Sequence, residues 1–443
     1  MDKVKNNRFL IMATVVVGVY HLLIREQILD GSYYSTILEG ASLIEVLKMR
    51  YMTWSSRSLI EAVLFVLVNH MWLWKMIDTF IMVTIAYMIA KLTDNDMVPY
   101  LGLLVFPFHE LSQAGWVATT VDYIWPLWCG MVICMLMKRY HKDTGYQSVK
   151  WYHYLYSIPV VLFACNQELM ALVMVVLTVW SGVVLILKNR RGLVYHLLML
   201  GLEATSLAYI FVCPGNINRT VQSIIEFAPE YKDYSLPYKL FLGLYNIERV
   251  FISKPQILFI TMIVLLAILA VRNFNKMIDK LIASIPVMIV IGHTILGPAM
   301  KGWNIVFHEA PKTFEKSEMG MYRYWALIYI IITGMSIIYT LVKLQVANAD
   351  DTIMIFTTLI VLAAGFGTAF AMGLSPTLYA SGERIFTFMY FSMIYGVSVV
   401  TRDKKSLWNG NERSLKDRLS FSTAVMFLWI LANVINEMGS VIV

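Results

Sequence analysis

The stretch TIMIFTTLIVLAAGFGTAFAMGL, residues 352–374, contains 23 residues and no charged side chain. At 1.5 Å per residue, a helix of this length rises about 35 Å, which is enough to cross a hydrocarbon core of about 30 Å. The runs 9–23 and 170–187 have a similar character. Such runs predict α-helices that cross a membrane.

The composition extends this interpretation to the whole chain. Of its 443 residues, 58% are hydrophobic and 15% are charged, whereas roughly 25% are charged in an average soluble domain. We therefore predict an all-α, polytopic transmembrane helical bundle that forms a single integral membrane domain over residues 1–443, with about 11–13 spans. The predicted spans are 8–24, 58–74, 76–91, 121–137, 153–165, 169–187, 193–212, 255–271, 280–298, 322–342, 352–374, 385–400 and 421–441.

The basic residues predict an orientation. The net charge is +7, and an excess of Lys and Arg falls in segments such as 138–150, 188–192 and 401–418. The positive-inside rule then places the N-terminus in the cytoplasm of a multi-pass cell-membrane protein. The short segment 98–109 has two prolines and is better interpreted as re-entrant or tilted; if it crosses, everything before it inverts. The positive charge does not indicate nucleic-acid binding, because no basic soluble domain with interleaved aromatic residues is present.

Two of the predicted outer segments carry amphipathic stretches. Within the first outer loop, 25–57, the apolar residues of 37–51 recur at helical spacing, and the stretch 234–252 in the outer loop 213–254 is similar. This pattern predicts helices that lie in the outer headgroup region.

The polar motifs gather on the same predicted face. They are Asp30, TWSSR (53–57), FHELSQAGWVATTVDYIWP (108–126), CNQE (165–168), CPGNINR (213–219) and SPTLYASGER (375–384). Taken singly, each has an ordinary interpretation, such as a solvated loop acid at Asp30, an arginine reaching to lipid phosphates at Arg57, or a helix-dipole partner at Glu168. Polar groups beside a bilayer are costly, so their accumulation on one face predicts a functional cavity at the outer boundary.

An acid with several arginines beside lipid suits a transferase whose donor is a lipid-linked phosphate. A carboxylate can take the proton of an attacking hydroxyl, and guanidinium groups bind phosphate oxygens and stabilise charge on a leaving phosphate. The chain has no Walker loop, Rossmann glycine pattern or His-Glu-x-x-His motif. The sequence thus gives no signal for a nucleotide or haem, and we assign no metal ligands, although a divalent cation remains open.

The arrangement of these motifs resembles the GT-C class of polytopic membrane glycosyltransferases. The resemblance rests on an acid after the first span (Asp30), the helix near 37–51 and an arginine opening the second span, WSSRSL. It continues through VDYIWPL (121–127), NQE (166–168), PGNINR (214–219) and SGERIF (381–386). It is most similar to a bacterial branch that modifies cell-surface polysaccharides.

The resemblance implies inverting transfer of a sugar from a polyprenyl-phosphate donor to a cell-surface glycan or a lipid-linked acceptor on the extracytoplasmic side. Asp30 would be the general base. Many members carry two adjacent acids here, whereas Gly31 follows Asp30; Glu26, Glu39 and Glu168 are candidates for a second acid. The expected substrate-binding residues are Arg57, Arg219 and Arg384 for phosphate, Asp122, Tyr123, Asn166 and Asn216 for hydroxyl groups, and Glu168 beside them.

Two other functions stay open at this point. A polysaccharide polymerase or ligase would act on a diphosphate-linked oligosaccharide, but such proteins usually place their arginines in one large external loop, and the loop 213–254 holds only Arg219 and Arg249. A transporter or flippase for lipid-linked sugars would favour inverted repeats and ionisable groups near the membrane midplane. Glu203 and His293 are the ionisable residues within predicted spans that we weighed for such a role.

Overall fold

A computed structural model describes residues 2–25, 29–141, 150–188, 191–296, 306–307, 309–402 and 428–440. These residues form helices joined by short turns, and no strand occurs among them. The prediction of an all-α fold is therefore confirmed for the described part of the chain. The segment 403–427, which includes part of the last predicted span, and Glu26 lie outside the described residues.

The described residues of the first half of the chain form ten α-helices. They are α1 (Asp2–Leu23), α2 (Asp30–Thr36), α3 (Leu43–Thr53), α4 (Ser58–Leu67), α5 (Met71–Thr93), α6 (Val98–Leu104), α7 (Trp116–Tyr140), α8 (Trp151–Ala164), α9 (Glu168–Leu187) and α10 (Leu193–Phe211). The second half continues with α11 (Pro214–Phe227), α12 (Leu236–Ser253), α13 (Ile257–Asn273), α14 (Met277–Leu296), α15 (Tyr322–Ala347), α16 (Thr352–Ala371), α17 (Thr387–Val400) and α18 (residues 428–440).

Seven of the described helices are long and apolar enough to cross a membrane: α5, α7, α9, α10, α14, α15 and α16. The pair α12 and α13, bent by 76° at its break, makes an eighth if it is one span. Two further apolar helices, Arg8–Leu23 and Ser58–Leu67, are shorter. The chain is thus a multi-pass helical membrane protein, while the count of 11–13 spans and the orientation stay predictions.

The packing of the long helices agrees with a lipid environment. On α15, Ile331, Met335 and Ile338 are 52%, 68% and 49% exposed, although such side chains are normally buried in a soluble protein. On the opposite side of the same helix, Tyr322 and Leu344 are buried against the rest of the bundle. An apolar outer surface of this kind needs lipid around it.

One predicted boundary between spans is wrong. The sequence suggested spans 58–74 and 76–91, whereas α4 ends at Leu67 and α5 begins at Met71. The Asn69 side chain donates to the backbone oxygen of Ser35 at 3.0 Å, which fixes the turn against the end of α2. Asn69 and His70 lie in the break, but apolar residues precede them and resume at Met71, so hydropathy alone does not show where one helix ends and the next begins.

The predicted helix 37–51 is also divided differently. A turn over 37–42 separates α2 from α3. Ser42 starts α3 with a capping box, in which its hydroxyl accepts from the Glu45 backbone N–H at 3.3 Å and the Glu45 carboxylate accepts from the Ser42 N–H at 2.9 Å. These two bonds satisfy N–H groups that a helix start leaves unpaired, so the helix begins here and not at Ile37. The membrane-surface position of this segment stays a prediction.

The segment 98–109 contains one short helix. α6 has seven residues, all buried, and is followed by Pro107 and a 3₁₀ helix, Phe108–Ser112. Seven residues rise only about 10 Å, far less than a membrane's hydrocarbon thickness. This geometry favours the re-entrant interpretation over a crossing.

Candidate functional site

Four of the predicted site residues form one ion-pair network. Arg57 donates from Nη1 to Asp122 Oδ2 at 2.9 Å, and from Nη2 to Glu168 Oε2 at 2.7 Å. Arg219 donates from Nη2 to the other oxygen of Glu168 at 3.1 Å. We call these residues, Arg57, Asp122, Glu168 and Arg219, the arginine–carboxylate network. Two cations and two anions balance, so the network as a whole carries no net formal charge.

Helix ends bring the network together. Arg57 immediately precedes α4, Glu168 is the first residue of α9, and Arg219 lies in the second turn of α11. Asp122 projects from a π-helical turn, Thr120–Ile124, inside α7. Such turns widen the backbone locally and often occur at functional sites. A carboxylate at the start of α9 is also favoured by the helix dipole.

Asn166 holds the backbone beside Arg57. Its Oδ1 accepts from the N–H groups of Leu59 and Ile60 at 2.9 and 3.1 Å, and its Nδ2 donates to the Ser56 oxygen at 3.1 Å. The side chain of Arg57 does not cap α4, so Asn166 supplies the cap from the turn between α8 and α9. These contacts favour a positioning role; binding of a substrate hydroxyl by Asn166 stays a prediction.

Asn216 forms a second set of hydrogen bonds with the segment between α3 and α4. Its Oδ1 accepts from the Ser56 N–H at 3.3 Å, and its Nδ2 donates to Ser56 Oγ at 3.0 Å and to the Ile210 oxygen at 3.0 Å. The preceding Gly215 lies directly against the end of α3, where an added Cβ would stand 2.4 Å from the Trp54 nitrogen. Asn166 and Asn216 therefore both form hydrogen bonds with Ser56.

Tyr123, the neighbour of Asp122, is 5% exposed, and its ring lies 6.1 Å from that of Phe388. Tyr123 thus lies between the arginine–carboxylate network and α17, next to the apolar interior. Contact between Tyr123 and a sugar stays a prediction.

Asp30 begins α2, and its side chain is exposed. Within the described residues, its carboxylate takes part in no hydrogen bond and no ion pair. The surrounding protein still removes enough water to raise the pKa of Asp30; Arg384 and Arg50 lower this pKa, and Asp122 raises it further. Asp30 is thus electrostatically linked to both Arg384 and the arginine–carboxylate network.

Arg384 lies in a 3₁₀ turn, Glu383–Phe386, just before α17. Gln113 Oε1 accepts from the Arg384 N–H at 3.4 Å and also from that of Glu383, which fixes this turn against the segment after α6. The Arg384 Nε is buried and has no hydrogen-bond partner among the described residues. In this respect it differs from Arg57 and Arg219, whose guanidinium groups are paired with carboxylates.

An apolar cavity of about 640 Å³ lies between α7, α9, α16 and α17. Leu127, Met170 and Phe388 line its end nearest to the network, and Lys188, Asp351 and Arg402 line its other end. Its wall is otherwise largely Leu, Met, Val and Phe side chains. A cavity of this size and polarity lies in the range of small-molecule and lipid sites.

No protein-family model, curated protein or solved structure matches this chain. The similarity to GT-C glycosyltransferases therefore stays a prediction from the sequence motifs.

Sequence reasoning missed a buried pair next to Asp30. Arg50 donates to Glu61 from Nε at 2.8 Å and from Nη2 at 2.7 Å, and both residues are buried. The Arg50 guanidinium also lies over the ring of Tyr34, 5.4 Å from its centroid. The available signal was Glu61 itself, a carboxylate inside a predicted span that required a partner.

A second missed group joins His109, Glu110 and Glu383, which offer ligand atoms within 4.8 Å of one another. All three residues belong to polar motifs of the sequence, but to two different ones. His109 and Glu383 are 274 positions apart in the chain, so no local spacing could show the group.

Proposed function

We propose that this protein transfers a sugar from a polyprenyl-phosphate donor to a glycan acceptor, with inversion, at the outer face of a cell membrane. The observation that carries the proposal is a pair of unengaged charged groups at one end of the bundle. Among the residues that the structure describes, the exposed carboxylate of Asp30 has no bonded partner, and neither does one guanidinium nitrogen of Arg384. The motif resemblance supplies the reaction class.

In the proposed step, Asp30 accepts the proton of an acceptor hydroxyl while that oxygen bonds to the anomeric carbon. The bond between this carbon and the phosphate oxygen breaks, and the phosphate leaves with the electron pair. Attack opposite to the leaving group inverts the anomeric configuration. Arg384 donates hydrogen bonds to the phosphate, where negative charge grows in the transition state.

The arginine–carboxylate network contributes mainly by positioning. Phosphate binding by Arg57 or Arg219 would require breaking contacts of 2.7–3.1 Å to Glu168 and Asp122. Their roles as phosphate ligands stay predictions, and Arg384 is the better candidate. The network instead holds Asp122 in place, and the charge of Asp122 helps to set the pKa of Asp30.

The apolar cavity supports a donor with a long hydrocarbon chain. Phe388, in its lining, follows Arg384 by one helical turn, and Met170 follows Glu168 by two residues. A phosphate at Arg384 would therefore stand beside a wall suited to isoprene units. Such a chain would pass from the bilayer into the cavity without exposing its apolar surface to water, and packing against the lining would hold it there.

The decisive assay uses purified protein, a polyprenyl-phosphate donor with a radiolabelled sugar, and isolated cell-surface glycan. Transfer of label with release of the polyprenyl phosphate would support the proposal. Consumption only of diphosphate-linked oligosaccharide would instead show a polymerase or ligase. Movement of the lipid-linked sugar across reconstituted vesicles without a covalent product would show a transporter and overturn the proposal.

Replacing Arg384 by Ala is expected to raise the KM for the donor about 10- to 100-fold, the loss typical of one or two charge-assisted hydrogen bonds. Arg272→Ala, which removes an exposed arginine at the end of α13, is the matched control and should leave the KM unchanged. Steady-state kinetics with varied donor would measure both. An unaltered donor KM in Arg384→Ala would remove this residue from the phosphate site.

The pH dependence of transfer activity should reflect the titration of the Asp30 carboxylate. Transfer needs the carboxylate form, so activity falls as the pH falls through the pKa of Asp30. This acid limb should lie above the usual aspartate range, because the surrounding protein removes water from the carboxylate and raises its pKa. Arg384 lowers the same pKa. Arg384→Gln should therefore move the limb to higher pH. A limb in kcat/KM that stays in place in Arg384→Gln would contradict the coupling.

A further inference from the structure

Glu110, in the segment between α6 and α7, has a buried carboxylate that lies beside the carboxylate of Glu383. Glu110 is 1% exposed, and its Oε1 accepts from the Tyr390 hydroxyl at 2.9 Å. Its Oε2 is buried and has no hydrogen-bond partner among the described residues. A buried oxygen left without a donor or cation is costly.

In Glu383, as in Glu110, one carboxylate oxygen is bonded to the described part of the protein and the other is not. Arg249 Nη1 donates to Oε1 at 3.2 Å, and Lys312 Nζ approaches the same oxygen at 3.9 Å. Within the described residues, no contact engages Oε2. Glu110 and Glu383 each use one oxygen to bind a protein donor and keep the other available.

His109 completes the group with an oriented ring. Its Nδ1 lies 2.9 Å from Glu437 Oε1, and its backbone N–H donates to Glu437 Oε2 at 2.8 Å. A carboxylate at Nδ1 fixes the ring and leaves the lone pair of Nε2 for a metal, as in carboxylate–histidine–metal arrangements. Glu437 itself is 3% exposed and comes from α18.

We propose that His109, Glu110 and Glu383 bind a divalent transition-metal ion, with Glu437 positioning the imidazole. One ligand atom from each residue lies within 4.8 Å of the other two, and a Zn²⁺ ion between them would be bound at about 2.0–2.2 Å. One imidazole with two carboxylates suits Zn²⁺ or Mn²⁺ better than Mg²⁺, which prefers oxygen ligands and retains water.

The charge balance agrees with a bound cation. Among the described residues, the three acids Glu110, Glu383 and Glu437 face two cations, Arg249 and Lys312, both at Glu383. With His109 neutral and these five groups ionised, the sum is −1. A dication would bring the sum to +1 and would give Glu110 Oε2 a partner. The ion would also tie the segment after α6 to α18 and to the turn that carries Arg384.

The test uses full-length protein, with any affinity tag removed, stripped with EDTA and equilibrated with Zn²⁺ alone. Mass spectrometry of the desalted protein should give one Zn²⁺ per chain, and excess Mg²⁺ should not displace it. Competition with a chromogenic chelator should show at least tenfold weaker binding in Glu110→Gln and Glu383→Gln. The exposed Glu309, which pairs with Lys254, provides the control Glu309→Gln, with unchanged affinity.

Two further measurements keep the outcome decisive if one variant folds poorly. Co²⁺ in place of Zn²⁺ should give a visible absorption band that changes in His109→Ala. Glu437→Gln, which keeps the size of the side chain, should weaken Zn²⁺ binding by about 10- to 100-fold. The proposal is overturned if folded protein contains no Zn²⁺, or if all four substitutions leave the binding of Zn²⁺ unchanged. Binding is measured without activity, so the result is independent of the proposed transfer reaction.

Discussion

Asp30→Asn is expected to slow sugar transfer by about 10²- to 10⁴-fold, the range that a general base usually contributes. Asparagine keeps the size and shape of the side chain but cannot accept the hydroxyl proton. Asp30 contributes no hydrogen bond or ion pair to the described residues, so its loss should leave the thermal unfolding temperature almost unchanged. The measurement is kcat at saturating donor and acceptor.

The best control for this substitution is Glu226→Gln. Glu226 is an exposed acid near the end of α11, and its replacement removes the same charge from the protein surface. The activity of this variant should remain near that of the unaltered protein. Comparable losses in both variants would indicate a general effect of surface charge, and full activity of Asp30→Asn would refute the assignment of the base.

The convergence of the motifs could be predicted from the sequence. The motifs containing Arg57, Glu168 and Arg219 sit at ends of apolar runs, and run ends that share a membrane face must lie at one end of the bundle. The direct contacts of these three residues agree with that argument. It needs only the order of spans, which hydropathy gives without any knowledge of packing.

The partners of these residues could not be predicted in the same way. Which carboxylate meets Arg57 depends on which helices are neighbours, and the π-helical turn that presents Asp122 has no clear signature in the sequence. The two asparagines illustrate the same limit. Polar residues in loops suggest binding of hydroxyl groups, which stays a prediction, but the sequence does not show that Asn166 and Asn216 bind backbone atoms of Ser56. Their roles depend on tertiary contacts between distant segments.

Gly215→Ala is expected to destabilise the protein by about 1–3 kcal/mol or more, because an added methyl group has no space. The new Cβ would stand 2.4 Å from the Trp54 nitrogen and 2.7 Å from both the Ser55 nitrogen and the Tyr51 oxygen. All three are backbone atoms at the end of α3, so they cannot rotate away as a side chain would. The start of α11 must move outward by roughly an ångström to restore normal contact.

Gly201→Ala is the matched control with the opposite sign. Gly201 lies within α10 and has nothing within 4 Å of an added Cβ, so alanine should be neutral or stabilise the helix by up to about 1 kcal/mol. Thermal unfolding in the same detergent would compare the two variants. Equal unfolding temperatures would show that α3 and α11 are not held as closely as Gly215 indicates.

The substitution at Gly215 should also reduce transfer at temperatures where the variant is still folded. Moving α11 displaces Asn216 from Ser56 and Arg219 from Glu168, whose present separations are 3.0 and 3.1 Å. A shift of about 1 Å in a positioning element can lower a rate by about 10²-fold. Because Gly215 contacts backbone and not substrate, the loss should appear mainly in kcat. A variant that is less stable but fully active would show that the arginine–carboxylate network does not position the catalytic groups.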